Sequence, residues 1–226
     1  MSRKFYFCLF FLLPILLPAQ EVLRGEVKVE MEPVYGAYVD VKYPLDKDTA
    51  YRRALEEAAM FFSAQIYGWA FHYDVGERAR GIAEEFELTP LGEIRWGDPG
   101  LFVTHANFEN HVLSVWMDYR PTDAQWRRLE MWKMGTVRTA QAVGYGPLGG
   151  PVESSDWLVI KKTAMEDSAR AAVRAMLQGQ ERNRPKEAAG FISLQTFPAY
   201  WMDAGRWAAQ ARFRVEIKEI VPFAAY

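Results

Sequence analysis

The side chains with the widest chemical reach in this chain are also the scarcest. It has three histidines, His72, His105 and His111, and one cysteine, Cys8. His72 and Asp74 alternate along a segment that reads as a strand, so they would share one face, and His105 and His111 fall on or beside a hairpin. An imidazole next to a carboxylate could hold a metal ion or move a proton. A lasting metal site takes three or four ligands with supporting bonds behind them, and the sequence marks no third ligand. The bland alternative is that these histidines are solvated or capping residues, and the sequence reading names no catalytic residue, cofactor or metal.

Other chemistries lack their motifs. Gly144-Tyr-Gly146-Pro-Leu-Gly149 spells a dinucleotide fingerprint. That chemistry needs a helix starting at once behind the glycines, and Pro147, Gly150 and Pro151 forbid one, so the run reads as loop. No Gly-Lys-Ser/Thr phosphate cradle and no Gly-x-Ser-x-Gly elbow occurs. An enzyme is the less favoured class, with a hydrolase as the third option.

Aromatic residues are plentiful, with 14 Phe, 8 Trp and 11 Tyr. Exposed rings stack on sugars and dock protein partners, and Trp96, Tyr200 and Trp201 stand in loop-like contexts, which makes them the candidate glycan or partner contacts. Trp116 and Trp207 stand on strands and read as core.

The first twenty residues differ from the rest. Arg3 and Lys4 precede an apolar run from Phe5 to Leu17, and Pro18-Ala19-Gln20 follows. This has the outline of a secretory signal peptide over 1–19, too short at about 13 apolar residues for the ~20 that span a bilayer. The expectation is an exported, periplasmic or secreted protein without a transmembrane segment in its mature part. Removing the leader removes Cys8, so no disulfide is available, and leaves 25 basic against 29 acidic side chains, a charge of −4. That balance speaks against nucleic acid as a partner. An aromatic C-terminus after an alternating strand is a feature of outer-membrane barrels, but two clear helices exclude that architecture for most of the chain.

Val27, Val29 and Met31 alternate with charged residues, as do Val39, Val41 and Tyr43, which predicts two strands turned at Pro33 and Gly36. From Asp48 to near Gly68, Ala50, Ala54, Ala58 and Phe62 recur every fourth residue, with Arg52, Arg53, Glu56 and Glu57 on the other face of a predicted helix. Short strands follow at 70–73 and 85–88, then a hairpin of 101–108 with 112–119. Thr122 and Gln125 form a capping box for a short helix. Residues 135–156, with five glycines and two prolines, read as a linker. Beyond it, 157–162 reads as a strand, Thr163 and Glu166 as a capping box, Ala169 to Leu177 as a helix face ending at Gly179, and 191–197 with 207–217 as a closing hairpin across a loop from Pro198 to Arg206.

The two halves overlay at a few points, Val39-Asp-Val41-Lys42 on Leu158-Val-Ile160-Lys161 and Phe102-Val-Thr104 on Phe191-Ile-Ser193. The expected fold is α+β, two related units each with an amphipathic helix on a small antiparallel sheet, over 20–134 and 157–226.

Asp48-Thr-Ala-Tyr-Arg-Arg-Ala-Leu-Glu-Glu-Ala, the later Gln65-Ile-Tyr-Gly, and the strand His111-Val-Leu-Ser-Val-Trp-Met-Asp-Tyr resemble the N-terminal module of the flagellar assembly protein FlgT and related small envelope lipoproteins. The resemblance covers about residues 37–122 and more faintly 157–217, and the acylatable cysteine of the lipoproteins is missing. It implies a non-enzymatic envelope protein that builds or stabilises an assembly with other envelope proteins. A glycan- or lipid-binding protein that uses the aromatic loops is the alternative.

Overall fold

The computed structural model describes residues 21–32, 43–76, 81–148, 157–180 and 185–222. The predicted leader, the strand through Val39 and Val41 with its turn, and the end of the predicted linker lie outside these residues.

The first helix forms where the four-residue alanine spacing predicts it. It is α1, Lys47–Ile66, and Asp46 caps it by accepting from the Thr49 amide at 2.9 Å. Two antiparallel sheets flank it. Strands β1 (Leu23–Glu30), β4 (Leu101–Glu109) and β5 (Val112–Tyr119) form a three-stranded sheet in the order β1-β5-β4. The larger sheet runs β3-β2-β7-β9-β6, with β8 also paired to β9; its strands are β2 (Trp69–Asp74), β3 (Glu85–Pro90), β6 (Arg138–Tyr145), β7 (Pro185–Leu194), β8 (Ala199–Asp203) and β9 (Arg206–Pro222). Pairing of β2 with β7, Trp69 opposite Ile192 through Asp74 opposite Glu187, joins the first half of the sequence to the second in one sheet.

α1 touches β1 and β5 on one side and β7 on the other. A helix held between two sheets must be buried over much of its circumference. That corrects the sequence reading of its polar face, because Arg53 and Glu57 are buried along with Ala54 and Ala58. Phe197 fills the core between the layers, its ring centroid 4.8 Å from both Phe61 and Phe62. The short helix α2, Asp123–Met131, carries the expected Thr122/Gln125 capping box. Trp132 just beyond it donates its indole N–H to the Ile66 carbonyl at 3.1 Å, tying α2 to the end of α1.

Four expectations after residue 134 are corrected. Residues 138–145 are not a linker but β6, paired with Arg138 opposite Val215 through Tyr145 opposite Ala208. Their small residues hide the strand from a hydrophobicity reading. A Cβ on Gly144 would lie 1.9 Å from the Ser168 amide nitrogen, so only glycine lets the last helix settle there. Residues 157–162 are not a strand but the first turns of α3, Trp157–Gln180. Trp157, Ile160, Lys161, Ala164, Ser168 and Ala172 are buried at helical spacing, and α3 packs on β6 and β9. Thr163 therefore caps nothing; its hydroxyl donates to the Val159 carbonyl one turn back at 2.9 Å. The predicted loop from Pro198 to Arg206 contains β8, which takes the edge of β9 that β7 leaves.

Trp116 also departs from expectation, being 40% exposed on the outer face of the small sheet, whereas Trp207 is buried as expected.

Candidate functional site

The first two turns of α3 present different residues to two neighbouring features. Leu158, Val159 and Lys162 line an open groove, and Trp157 and Lys161 line a much smaller aromatic cage.

The groove is built on the end of α1. There the chain leaves the helix through Gly68, at φ +65, where a Cβ would meet the Ile192 carbonyl oxygen at 2.3 Å. After β3 it returns across the same helix end: the Leu91 amide donates to the Gly68 carbonyl at 3.1 Å and the Ile94 amide to the Ser63 hydroxyl at 2.7 Å. Ser63 in turn donates to the Ala59 carbonyl at 2.6 Å, so one hydroxyl fastens the 91–96 segment to α1. Ile94 is buried by this clamp, and two residues on, Trp96 is left 59% exposed. Between this segment, α1 and the start of α3 lies a groove of about 330 Å³, with Met60, Trp69 and the 60%-exposed Val159 among its apolar lining. Glu56 and Glu93 add carboxylates, while Lys162 on the same lining pairs with Glu166 at 3.6 Å. A groove of this volume accepts one or two large apolar groups.

The cage lies on the other side of the same turns. Lys161 Nζ stands 2.8 and 3.0 Å from the two oxygens of Glu57, and both side chains are more than nine-tenths buried. Three rings surround the ammonium, with centroids 5.0 Å away for Trp207, 5.2 Å for Tyr200 and 5.9 Å for Trp157. The Tyr200 hydroxyl donates to the Lys161 carbonyl at 3.0 Å. Burial pushes the Glu57 carboxyl above its ordinary range, with Lys161 opposing that rise. The Tyr200 phenol is held well above its ordinary value by burial, then by the Glu57 and Glu166 charges. The space left beside the pair is about 20 Å³, enough for one water. The cage is already filled by a lysine of this chain and works as a clasp between α1 and α3.

The aromatic candidates therefore separate. Trp96 borders the groove. Tyr200 lies on β8, not in a loop, and its ring belongs to the cage. Trp201 follows it on β8, 39% exposed, and is not among the groove residues. Sequence reasoning missed Glu57 and Lys161. The signal available was the spacing, since Glu57 follows Ala50 and Ala54 by seven and three residues and Lys161 follows Trp157 by four, both positions on buried stripes.

On the outer face of the large sheet, His72 Nε2 lies 3.7 Å from Asp74 Oδ1, as their alternation predicts. A third candidate ligand comes from β7, because Glu187 is directly opposite Asp74. One ligand atom from each of the three lies within 4.8 Å of the others, and among the described residues this is the one such group that could hold a metal ion. His105 and His111 are not part of it.

Fold and site together define an α+β protein with three helices, two antiparallel sheets and an open apolar groove among the described residues. A protein-family model matches residues 14–223, and the chain belongs to that family. It is similar to an uncharacterised protein of Treponema pallidum (strain Nichols), 23% identical over 171 residues that make up 76% of this chain and 69% of that protein. No solved structure matches. No helix among the described residues is long and apolar enough to cross a membrane, a statement that does not bear on β-barrels.

Proposed function

We propose that this chain is an exported, non-enzymatic interaction component of the cell envelope that receives an apolar part of a protein partner in the groove beside Trp96. The observation that carries the reading is the groove itself: an exposed tryptophan and an exposed valine on opposite walls, over a floor fixed by the Ser63 hydrogen bonds. Exposed apolar surface of this kind is retained where something covers it. The leader-like residues 1–19 and the resemblance to envelope assembly modules support the location. The reading also keeps the two halves as related, on the match of Asp48-Thr-Ala50 with Asp167-Ser-Ala169, supported by α1 burying Ala50, Ala54 and Ala58 and α3 burying the matching Ala169, Val173 and Leu177, although β2 pairs into the second half's sheet and 158–161 is helix.

The test is site-specific photo-crosslinking from position 96 in cells that produce the native protein. The reading expects one protein adduct of reproducible mass that disappears when Val159→Glu is added. Adducts unchanged by that substitution, or none, would overturn it. The exposure of Trp96 and Trp201 favours a second reading, glycan or lipid binding. Binding of the purified protein to peptidoglycan or vesicles that is lost in Trp96→Ala or Trp201→Ala would establish this second reading in its place.

A further inference from the structure

The outer face of the large sheet carries a group of side chains that neither the groove nor the cage uses. Strands β3, β2 and β7 are adjacent and antiparallel, so their register sets residues in rows across the sheet. One row is Glu85, Asp74, Glu187 and the next is Glu87, His72, Ala189. Like charges directly opposite each other on neighbouring strands repel, and here Asp74 has a carboxylate on both sides. Glu187 pairs with Lys186 at 2.7 Å. Ala189 beside His72 leaves the imidazole with no bulky cross-strand neighbour on that side.

We infer that His72, Asp74 and Glu187 form a binding site for a divalent transition-metal cation, with the imidazole as the ligand that sets it apart from an ordinary acidic surface. Three protein ligands, one nitrogen and two oxygens, leave positions for water, as in open zinc sites. Ligand atoms around a tetrahedral zinc stand about 3.4 Å apart, given bonds near 2.0–2.1 Å. The 3.7 Å between His72 and Asp74 already approaches this, and the spread of 4.8 Å across all three closes by rotation of the partly exposed Glu187 side chain. Two ligands two residues apart on one strand and a third opposite on the next hold this geometry through backbone pairing, so little ordering remains to be done on binding. Imidazole discriminates against calcium and magnesium, which prefer all-oxygen shells, and suits zinc. On binding, Glu187 exchanges Lys186 for the metal.

The experiment is calorimetric titration of the untagged, metal-stripped protein with zinc chloride, repeated with His72→Ala, Glu187→Gln and the control Glu130→Gln on α2. The expected result is one saturable site per chain, weakened at least tenfold in His72→Ala and Glu187→Gln and unchanged in the control. Cobalt should give a visible d–d band that the same two variants lose. Thermal unfolding of the stripped variants at the wild-type temperature separates lost ligation from lost folding. Absence of a saturable site, equal binding by His72→Ala, or displacement of zinc by an equimolar amount of calcium would each overturn the inference.

Discussion

Lys161 on α3 places its ammonium 2.8 Å from the Glu57 carboxylate on α1, inside a ring formed by Trp157, Tyr200 and Trp207. The two residues are 104 positions apart in sequence. They join the helix between the sheets to the helix that packs on β6 and β9 of the large sheet. Each charge is costly to bury alone, and each is the other's compensation.

Removing one partner should therefore cost far more than removing both. Lys161→Ala or Glu57→Ala is expected to destabilise by about 3–5 kcal/mol, the cost of leaving the other charge buried and unpaired. Lys161→Met combined with Glu57→Gln should recover a large part of that loss, because the aromatic ring receives an apolar chain of similar length. Urea unfolding of Lys161→Met, Glu57→Gln and the double gives the coupling directly. Additive losses would show that the pair carries no mutual stabilisation.

Gly144 makes a second, steric prediction. A methyl group there meets the Ser168 amide at 1.9 Å and the Ala164 carbonyl oxygen at 2.5 Å, both backbone atoms that cannot rotate aside. Gly144→Ala should push α3 off β6, strain the 2.9 Å bond from Ser168 Oγ to the Ala142 carbonyl, and cost about 1–3 kcal/mol as overpacking does. The measurement is the shift in denaturation midpoint at constant slope.

The same contact shows why the sequence was easier to read in some places than in others. β5, α2 and the 209–215 stretch of β9 announce themselves because one face is more buried than the other, so the periodicity is written in hydrophobicity, and α1 is legible through its four-residue alanine spacing although sheets cover it on two sides. β6 meets α3 so closely that its inward positions are Ala140, Ala142 and Gly144, which carry no hydrophobic signal and invite a linker reading. Trp157-Leu-Val-Ile160 carries strong strand propensity, and packing on β6 and β9 overrides it. Of the candidate site, Trp96 and the His72/Asp74 alternation were legible locally. Glu57, Lys161 and Glu187 acquire meaning only through partners that are distant in sequence.

Asp118 governs an acid-side prediction. It accepts both arms of Arg24, Nε at 2.7 Å and the terminal nitrogen at 2.8 Å, and this bonding holds its carboxyl below the ordinary value of 3.8. A depressed carboxylate stabilises the fold above its unfolded pKa and loses that contribution as pH falls through the folded one. Stability should thus drop below about pH 4, and Asp118→Asn should be less stable at neutral pH with a shallower acid limb. Urea midpoints from pH 2 to 7 for both proteins check this, and identical limbs would exclude the role.

Tyr119 sets the opposite limb. Its hydroxyl accepts from Gln125 Nε2 at 2.8 Å, while the same amide nitrogen donates to the Tyr67 hydroxyl at 2.9 Å, so one glutamine holds two phenols where β5 meets α2. Burial is the largest cause that raises the Tyr119 phenol, which is pushed up to about 12 from 10.0, with Gln125 opposing and the Asp98 charge adding to the rise. A group whose folded pKa is raised contributes fully below its unfolded pKa, and the contribution drains away as pH climbs towards the folded one. Stability should consequently hold to about pH 10 and fall between 10 and 12. Tyr73 and Tyr200 are raised as well, so Tyr119→Phe should flatten this fall without abolishing it. Ultraviolet titration of tyrosinate should show a class of phenols that ionise only as the fold opens. If every tyrosine ionised near pH 10 with the circular dichroism unchanged, the buried hydrogen-bonded state of Tyr119 would be refuted.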